Sequence, residues 1–270
     1  MSTVAQPRVR ADRPTAALLA TVGASRLGGR STRTLYARNW MSDPKLETIS
    51  QLFNEWGEYV ARAETLLTSE EYFVEGVLVL CCYIGSLARL RYPQETKDWR
   101  SYKTIVWEYS GQREIYENVD LLFLYQWPRS KLSNNKAYAG IKNYPDLITL
   151  FKAEFGDEEE IRNEPRRYQK RENLVHCVKT KNVKWFDESN FTKHIELFSN
   201  NQILYEFLRC EAVHNADIQL FRRSYQVEQK ETIYKDNHQI DRAAILNTVK
   251  GIVENLKNEC LGNRKWPWEL

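Results

Sequence analysis

Arg209 and His214 stand five positions apart in a stretch that runs from Tyr205 to Asn215 and also holds Glu211. These residue types suit phosphoryl chemistry on RNA without a metal. Imidazole titrates at about 6.5 when unperturbed, so near neutral pH it can take the proton from a ribose 2′-hydroxyl or give one to a leaving 5′-oxygen. Guanidinium stays charged and can hold two phosphate oxygens, offsetting negative charge that builds in the transition state. Glu211 lies about one helical turn before His214, close enough in an α-helix to orient the imidazole. One such set supplies a single proton-transfer group. A two-fold symmetric dimer would supply an acid and a base together, so a homodimer is expected.

The sequence places this set on a helix from about Gln202 to Arg223. Leu204, Phe207 and Leu208 begin an apolar stripe at helical spacing, which turns polar at Glu211 and Asn215. At about 100° per residue, Arg209 and His214 point roughly 140° apart on an ideal α-helix, so they converge only by side-chain reach or across a second copy. A structural reading is also open. His214 could be a core histidine bonded to Glu211, and Arg209 an ion-pair partner of Glu206 or Glu211. The histidines at 176, 194 and 238 have no comparable setting.

Other segments show the same three-four spacing of apolar residues. A helix from about Pro44 to Leu67 carries Leu46, Ile49, Leu52, Phe53, Trp56 and Val60. The run Thr68 to Glu71 has capping-box spacing and predicts a second helix with Val74, Val77, Leu78, Cys81, Ile84 and Ala88 inward, ending before Pro93; the two form a long antiparallel hairpin. Its apolar run from Gly76 to Ala88, 13 residues, suits a buried helix better than a bilayer span. Glu75 and Ser86 are placed where they could face the motif. Two shorter helices follow, one with Trp99, Tyr102, Ile105, Val106 and Tyr109 inward and one with Ile115, Val119, Leu122 and Phe123, separated by Gly111. Pro128 to Tyr144 reads as a long loop before a helix capped near Asp146. A short helix over Asn190 to Phe198 leads to a turn at Asn200 and Asn201, and a last apolar stripe runs from Ile240 to Leu261. The tail with Trp266 and Trp268 should pack on the body or on a second subunit.

Residues 158–184 gather Arg162, Arg166, Arg167, Lys170, Arg171, Lys179, Lys181 and Lys184 around Tyr168, with Trp185 just beyond. Basic side chains beside exposed aromatics can track a phosphate backbone and stack unpaired bases, which makes Arg166, Arg167, Lys170 and Arg171 candidate RNA-binding residues. The bland alternative is a solvated face, since Glu158, Glu159, Glu160, Glu164 and Glu172 offset much of the charge, and it is the favoured one.

The run Arg209-Cys210-Glu211-Ala212-Val213-His214, followed by Asn215 and set among apolar helices, resembles the Arg-x4-6-His signature of HEPN domains. The resemblance covers roughly residues 43–261 and is nearest the larger variants of bacterial conflict systems. It implies an all-α helical bundle of HEPN type with extra helices and loops, in which a helical hairpin packs against the motif-bearing helix. It further implies a metal-independent endoribonuclease with Arg209 and His214 catalytic and Glu211 and Asn215 in support. An RNA substrate and a partner such as an antitoxin or defence-system protein go with that reading. Two positions depart from the pattern. Cys210 stands where many active members have Asn, Asp or His, which favours the alternative of a catalytically silent module that binds RNA or a protein. Ala216 replaces a tyrosine common in toxins paired with a nucleotidyltransferase, so that kind of partner is not implied.

Composition bounds the rest. Apolar residues make up 42% of the chain and aromatic residues 12%, enough for a core. Residues 1–40 hold seven arginines against Asp12 alone, a balance of +6, so the overall +3 leaves −3 on residues 41–270 and any RNA-binding surface must be a local patch. That arginine-rich leader, taken as residues 1–42, is expected to be disordered, with Met41 as the start and the preceding segment an upstream extension. Residues 43–261 then form the helical domain and 262–270 the tail. Five cysteines without a CxxC pair argue against a disulfide framework and for a reduced cytoplasmic setting, with no metal, cofactor or membrane expected.

Overall fold

In the computed structural model, described for residues 43–129, 140–162, 164–210 and 242–270, helices dominate and their bounds follow local chemistry. Helix α1 (Pro44–Thr68) starts where the Asp43 carboxylate accepts the Lys45 N–H at 3.0 Å, with Pro44 pre-set for the first turn. It buries Ile49, Phe53, Val60, Ala63 and Leu67. Helix α2 (Phe73–Arg91) begins later than the Thr68–Glu71 capping-box spacing predicts: Ser69 accepts from the Glu71 and Tyr72 N–H groups and so closes the connecting turn instead. The hairpin is tight because Gly76 lies against the α1 backbone, where an added Cβ would sit 2.6 Å from the Leu67 nitrogen.

Helix α3 (Asp98–Tyr109) packs on α2, burying Ser101, Tyr102, Ile105, Val106 and Tyr109. Gly111, at a φ of 71°, turns the chain into α4 (Arg113–Glu117), as its position between the two patterns predicted. The C-terminal helix α11 (Arg242–Asn263) returns to complete a bundle with α1, α2 and α3, contributing Ile245, Val249, Ile252 and Leu256. Asn255 donates its amide to the Tyr109 carbonyl at 2.8 Å and so closes the end of α3. The α2 helix is by length and composition apolar enough to cross a membrane, with a mean hydropathy of 1.7 over its most apolar window. In this fold its Val77, Leu80, Cys81, Ile84 and Leu87 are fully buried in the bundle. Glu75 and Ser86, by contrast, are exposed.

A second group of shorter elements packs beside the bundle: α5 (Leu121–Gln126), α6 (Tyr144–Phe155), α7 (Glu158–Ile161), α8 (Arg171–Thr180), α9 (Glu188–Ile195) and a 3-10 turn at Glu196–Phe198. Helix α6 starts two residues ahead of the expected Asp146 cap, and α7 rises from the charged run through an Asp157–Glu160 capping box. Two-residue strands β1 (Val119–Asp120) and β2 (Tyr168–Gln169) pair antiparallel, too short to leave an alternating pattern in the sequence. The tail folds back onto the body through Lys45–Glu269 at 2.8 Å, with Trp266 and Trp268 stacked on each other. Residues 1–42, most of the expected 128–144 loop and residues 211–241 lie outside the described residues.

Candidate functional site

Ser199 caps α10 (Asn200–Ile203) by accepting the Gln202 N–H at 3.3 Å. Asn200 and Asn201 are therefore the first turn of a helix and not the turn the sequence suggested. Their amides reach the Ile115 carbonyl at 2.9 Å and the Lys103 carbonyl at 3.0 Å, fastening α10 to α3 and α4. From Leu204 to Arg209 the helix widens into a π turn, in which the Cys210 N–H reaches back to the Tyr205 carbonyl. Such turns are rare and concentrate at functional sites. This one packs on α2 and α3, with Leu204 and Leu208 fully buried.

Arg209 leaves the end of the π turn toward α3. Its Nη2 lies 2.7 Å from the Asp98 carboxylate, its guanidinium sits 5.5 Å from the Tyr205 ring centroid, and Nη1 is 3.9 Å from the Cys210 sulfur. Burial works against its charge, but the contacts with Cys210 and Asp98 outweigh that and raise its pKa. The guanidinium is thus a fixed cation, and its side chain remains 19% exposed. The sequence offered Glu206 or Glu211 as its structural partner; the carboxylate found is Asp98, from a helix more than a hundred positions earlier. His214, Glu211 and Asn215 lie outside the described residues, so the structure places only the arginine of the pair.

The basic run separates into unlike residues. Arg167 is buried, donating to Asp120 from Nε at 2.9 Å and Nη2 at 2.6 Å, while the same carboxylate caps α5 through the Leu122 and Phe123 N–H groups. Its assignment to an RNA surface is corrected: it carries a structural ion pair that joins the turn just before β2 to the start of α5. Arg166 is exposed and donates to the Glu160 carbonyl at 3.3 Å. Lys170 lies 3.9 Å from Glu117 and Arg171 lies 3.3 Å from Glu172. Lys179 and Lys181 pair with Glu188 and Glu154. These side chains form a solvated, salt-bridged face, with Glu117, Glu154 and Glu188 supplied by neighbouring helices, and Arg171 alone of the four candidates also lines a groove.

What the sequence did not single out is a surface groove of about 490 Å³ whose lining includes Trp99, Lys103, Trp107, Arg113, Arg171 and Asn201. Trp99 was expected to face the core; it is 41% exposed, and Trp107 is 37% exposed. The four-residue steps Trp99, Lys103 and Trp107 were the available signal, a second face on α3 hidden beneath the stronger core periodicity. The groove begins one residue after Asp98, the partner of Arg209, and Lys103 donates to Gln202 of α10 at 2.9 Å. Desolvation lowers the Lys103 pKa. Among the described residues no group of three or more His, Cys, Asp and Glu side chains is placed to hold a metal ion.

No protein-family model matches the chain, and no curated protein or solved structure matches it either.

Proposed function

We propose that the chain is a metal-independent endoribonuclease of HEPN type, working in a bacterial defence or toxin-antitoxin setting, with Arg209 and His214 as its catalytic pair. The observation that carries the reading is Arg209 itself. A π turn, a carboxylate and an aromatic ring hold a permanently charged, partly exposed guanidinium in one place, on the aspartate that precedes the groove-lining Trp99. A cation fixed before substrate arrives needs little reorganisation to stabilise a phosphorane-like transition state. His214 supplies one proton transfer, and a homodimer supplies the second through its other copy. Glu211 and Asn215 support the pair.

The test is incubation of purified protein with end-labelled RNA in EDTA. The parent leaves 2′,3′-cyclic phosphate ends and sediments as a dimer. Arg209→Ala and His214→Ala each lose cleavage while the helical content and melting temperature stay near the parent's. Full cleavage by His214→Ala would overturn the assignment. A second reading has its own observation: Asp98 already occupies one edge of Arg209, and Cys210 follows it. Both favour a catalytically silent helical module that binds RNA or a protein partner. Parent protein that leaves RNA intact yet retains it on a gel supports that module.

A further inference from the structure

We propose that the α3 groove is a binding track for single-stranded RNA, with Trp99 and Trp107 as base-stacking platforms and Lys103, Arg113 and Arg171 as phosphate contacts. The proposal deepens the ribonuclease reading and rests on it for the choice of RNA. Its physical basis is the arrangement of α3. Trp99, Lys103 and Trp107 follow at four-residue steps, so each is rotated about 40° from the last, and the two indoles lie roughly 12 Å apart along the axis. Both are more than a third exposed, although indoles rank among the side chains that gain most from burial. Every base has a π-face, so two exposed rings lining one groove, about 80° apart around the helix, suit a strand of unpaired bases whatever its sequence.

The cations are interleaved with the rings. Arg113 lies 3.6 Å from the Trp107 ring centroid, and Arg100 and Lys103 lie 5.4 and 5.2 Å from that of Trp99. A guanidinium stacked on an indole keeps its outer face and N–H edge for a base or a phosphate. Each cation also has a carboxylate nearby: Glu95 for Arg100, Glu196 for Lys103, Glu117 for Arg113 and Glu172 for Arg171, at 3.3 to 3.8 Å. The Lys103 side chain is only 17% exposed, but the three arginines are 45–59% exposed, and pairs of that kind are weak in water, so a phosphate can displace a carboxylate from them. Asn201 lines the same groove with its Oδ1 buried and without a hydrogen-bond partner. The Asp98–Arg209 pair stands at the end of α3 next to Trp99, so a strand lying on the two indoles is led toward the arginine of the candidate catalytic pair.

The test measures binding apart from cleavage. The probe is a fluorescein-labelled 2′-O-methyl oligouridylate of about 12 nucleotides, within the usual span of such sites and lacking the 2′-hydroxyl that cleavage requires. It is titrated by anisotropy against the full chain in EDTA, beside the same strand in a duplex. The single strand is expected to bind more tightly than the duplex. Trp99→Ala and Trp107→Ala should each weaken it by about fivefold or more, with Trp107→Phe recovering most of the loss. Arg113→Gln and Arg171→Gln should each flatten the salt dependence by about 0.7 in log–log slope. Circular dichroism of each variant confirms that the exposed substitutions leave the helices formed. No binding, equal binding of the duplex, or unchanged affinity in both tryptophan variants would overturn the track. RNA cut by a protein whose tryptophan variants bind normally would leave the ribonuclease reading standing and remove the groove. Tryptophan-dependent binding by a protein that never cuts RNA would do the reverse.

Discussion

Arg167 and Arg209 are both arginines paired with an aspartate, and their surroundings give them different work. The Arg167–Asp120 pair is almost fully enclosed, with side-chain exposures of 8% and 2%. Removing one partner would leave a buried charge uncompensated, so Arg167→Met is expected to cost about 3–5 kcal/mol in urea unfolding. Combining it with Asp120→Asn should recover part of that loss, because the acceptor that remains is neutral and can still cap α5. A loss below about 1 kcal/mol in the single variant would mean that water reaches Asp120. Arg209 pairs with Asp98 at 19% and 31% exposure, which leaves its outer edge open to solvent and to a ligand. Periodicity in the sequence could not separate these two cases, since burial depends on what distant elements cover.

Among the elements, the α1–α2 hairpin follows most directly from its sequence, and its closeness turns on one position. At Gly76 a side chain would meet the Leu67 nitrogen at 2.6 Å and its Cα at 2.8 Å, backbone atoms that move only if the hairpin opens. Gly57, on α1, has nothing within 4 Å of the same added atom. The two substitutions should therefore have opposite signs. Gly57→Ala is expected to stabilise by roughly 0.5–1 kcal/mol through the lower helix propensity of glycine, while Gly76→Ala costs about 1–3 kcal/mol by overpacking. Thermal unfolding of the pair measures both, and stabilisation by Gly76→Ala would show that the helices can part freely. The π turn was illegible for the opposite reason. Its residues have ordinary α-helical spacing, and its wider turn is seen only in where its backbone hydrogen bonds go.

For the molecule as a whole, buried thiols and phenols set the response to alkali. Burial pushes Cys81 from an ordinary value of 9.0 up to about 12 and Cys260 to about 11. Burial likewise raises Tyr109 and Tyr205 from 10.0 to about 12. These groups keep their protons in the folded protein after the unfolded chain has begun to lose them. Their contribution is complete below about pH 9 and is lost as the pH rises toward the folded values. Lys103 has the opposite sign, because its lowered pKa makes the folded protein lose a proton first, and one such group is outnumbered. The urea midpoint should therefore fall between about pH 8 and about pH 10.5; a midpoint that rises would show that these side chains are hydrated in the fold.

The longer helices α1, α2, α3, α6 and α11, most of their inward faces and the glycine break between α3 and α4 were legible in the sequence, because helix formation and apolar periodicity are local properties of a few turns. Helices α7 and α8 in the charged run were not, and the single helix expected through Ile115 and Phe123 is broken into α4, β1 and α5 with Ile115 exposed. Tertiary structure alone decided that α11 closes the bundle on α1, α2 and α3, that Arg167 lies inside and that Asp98 holds Arg209. It also decided that Trp99 and Trp107 stay on the surface. The physical reason is common to all four: a repeat of apolar or basic residues defines a face, but which element covers that face, and which charge meets it there, is fixed by packing between segments far apart in the chain.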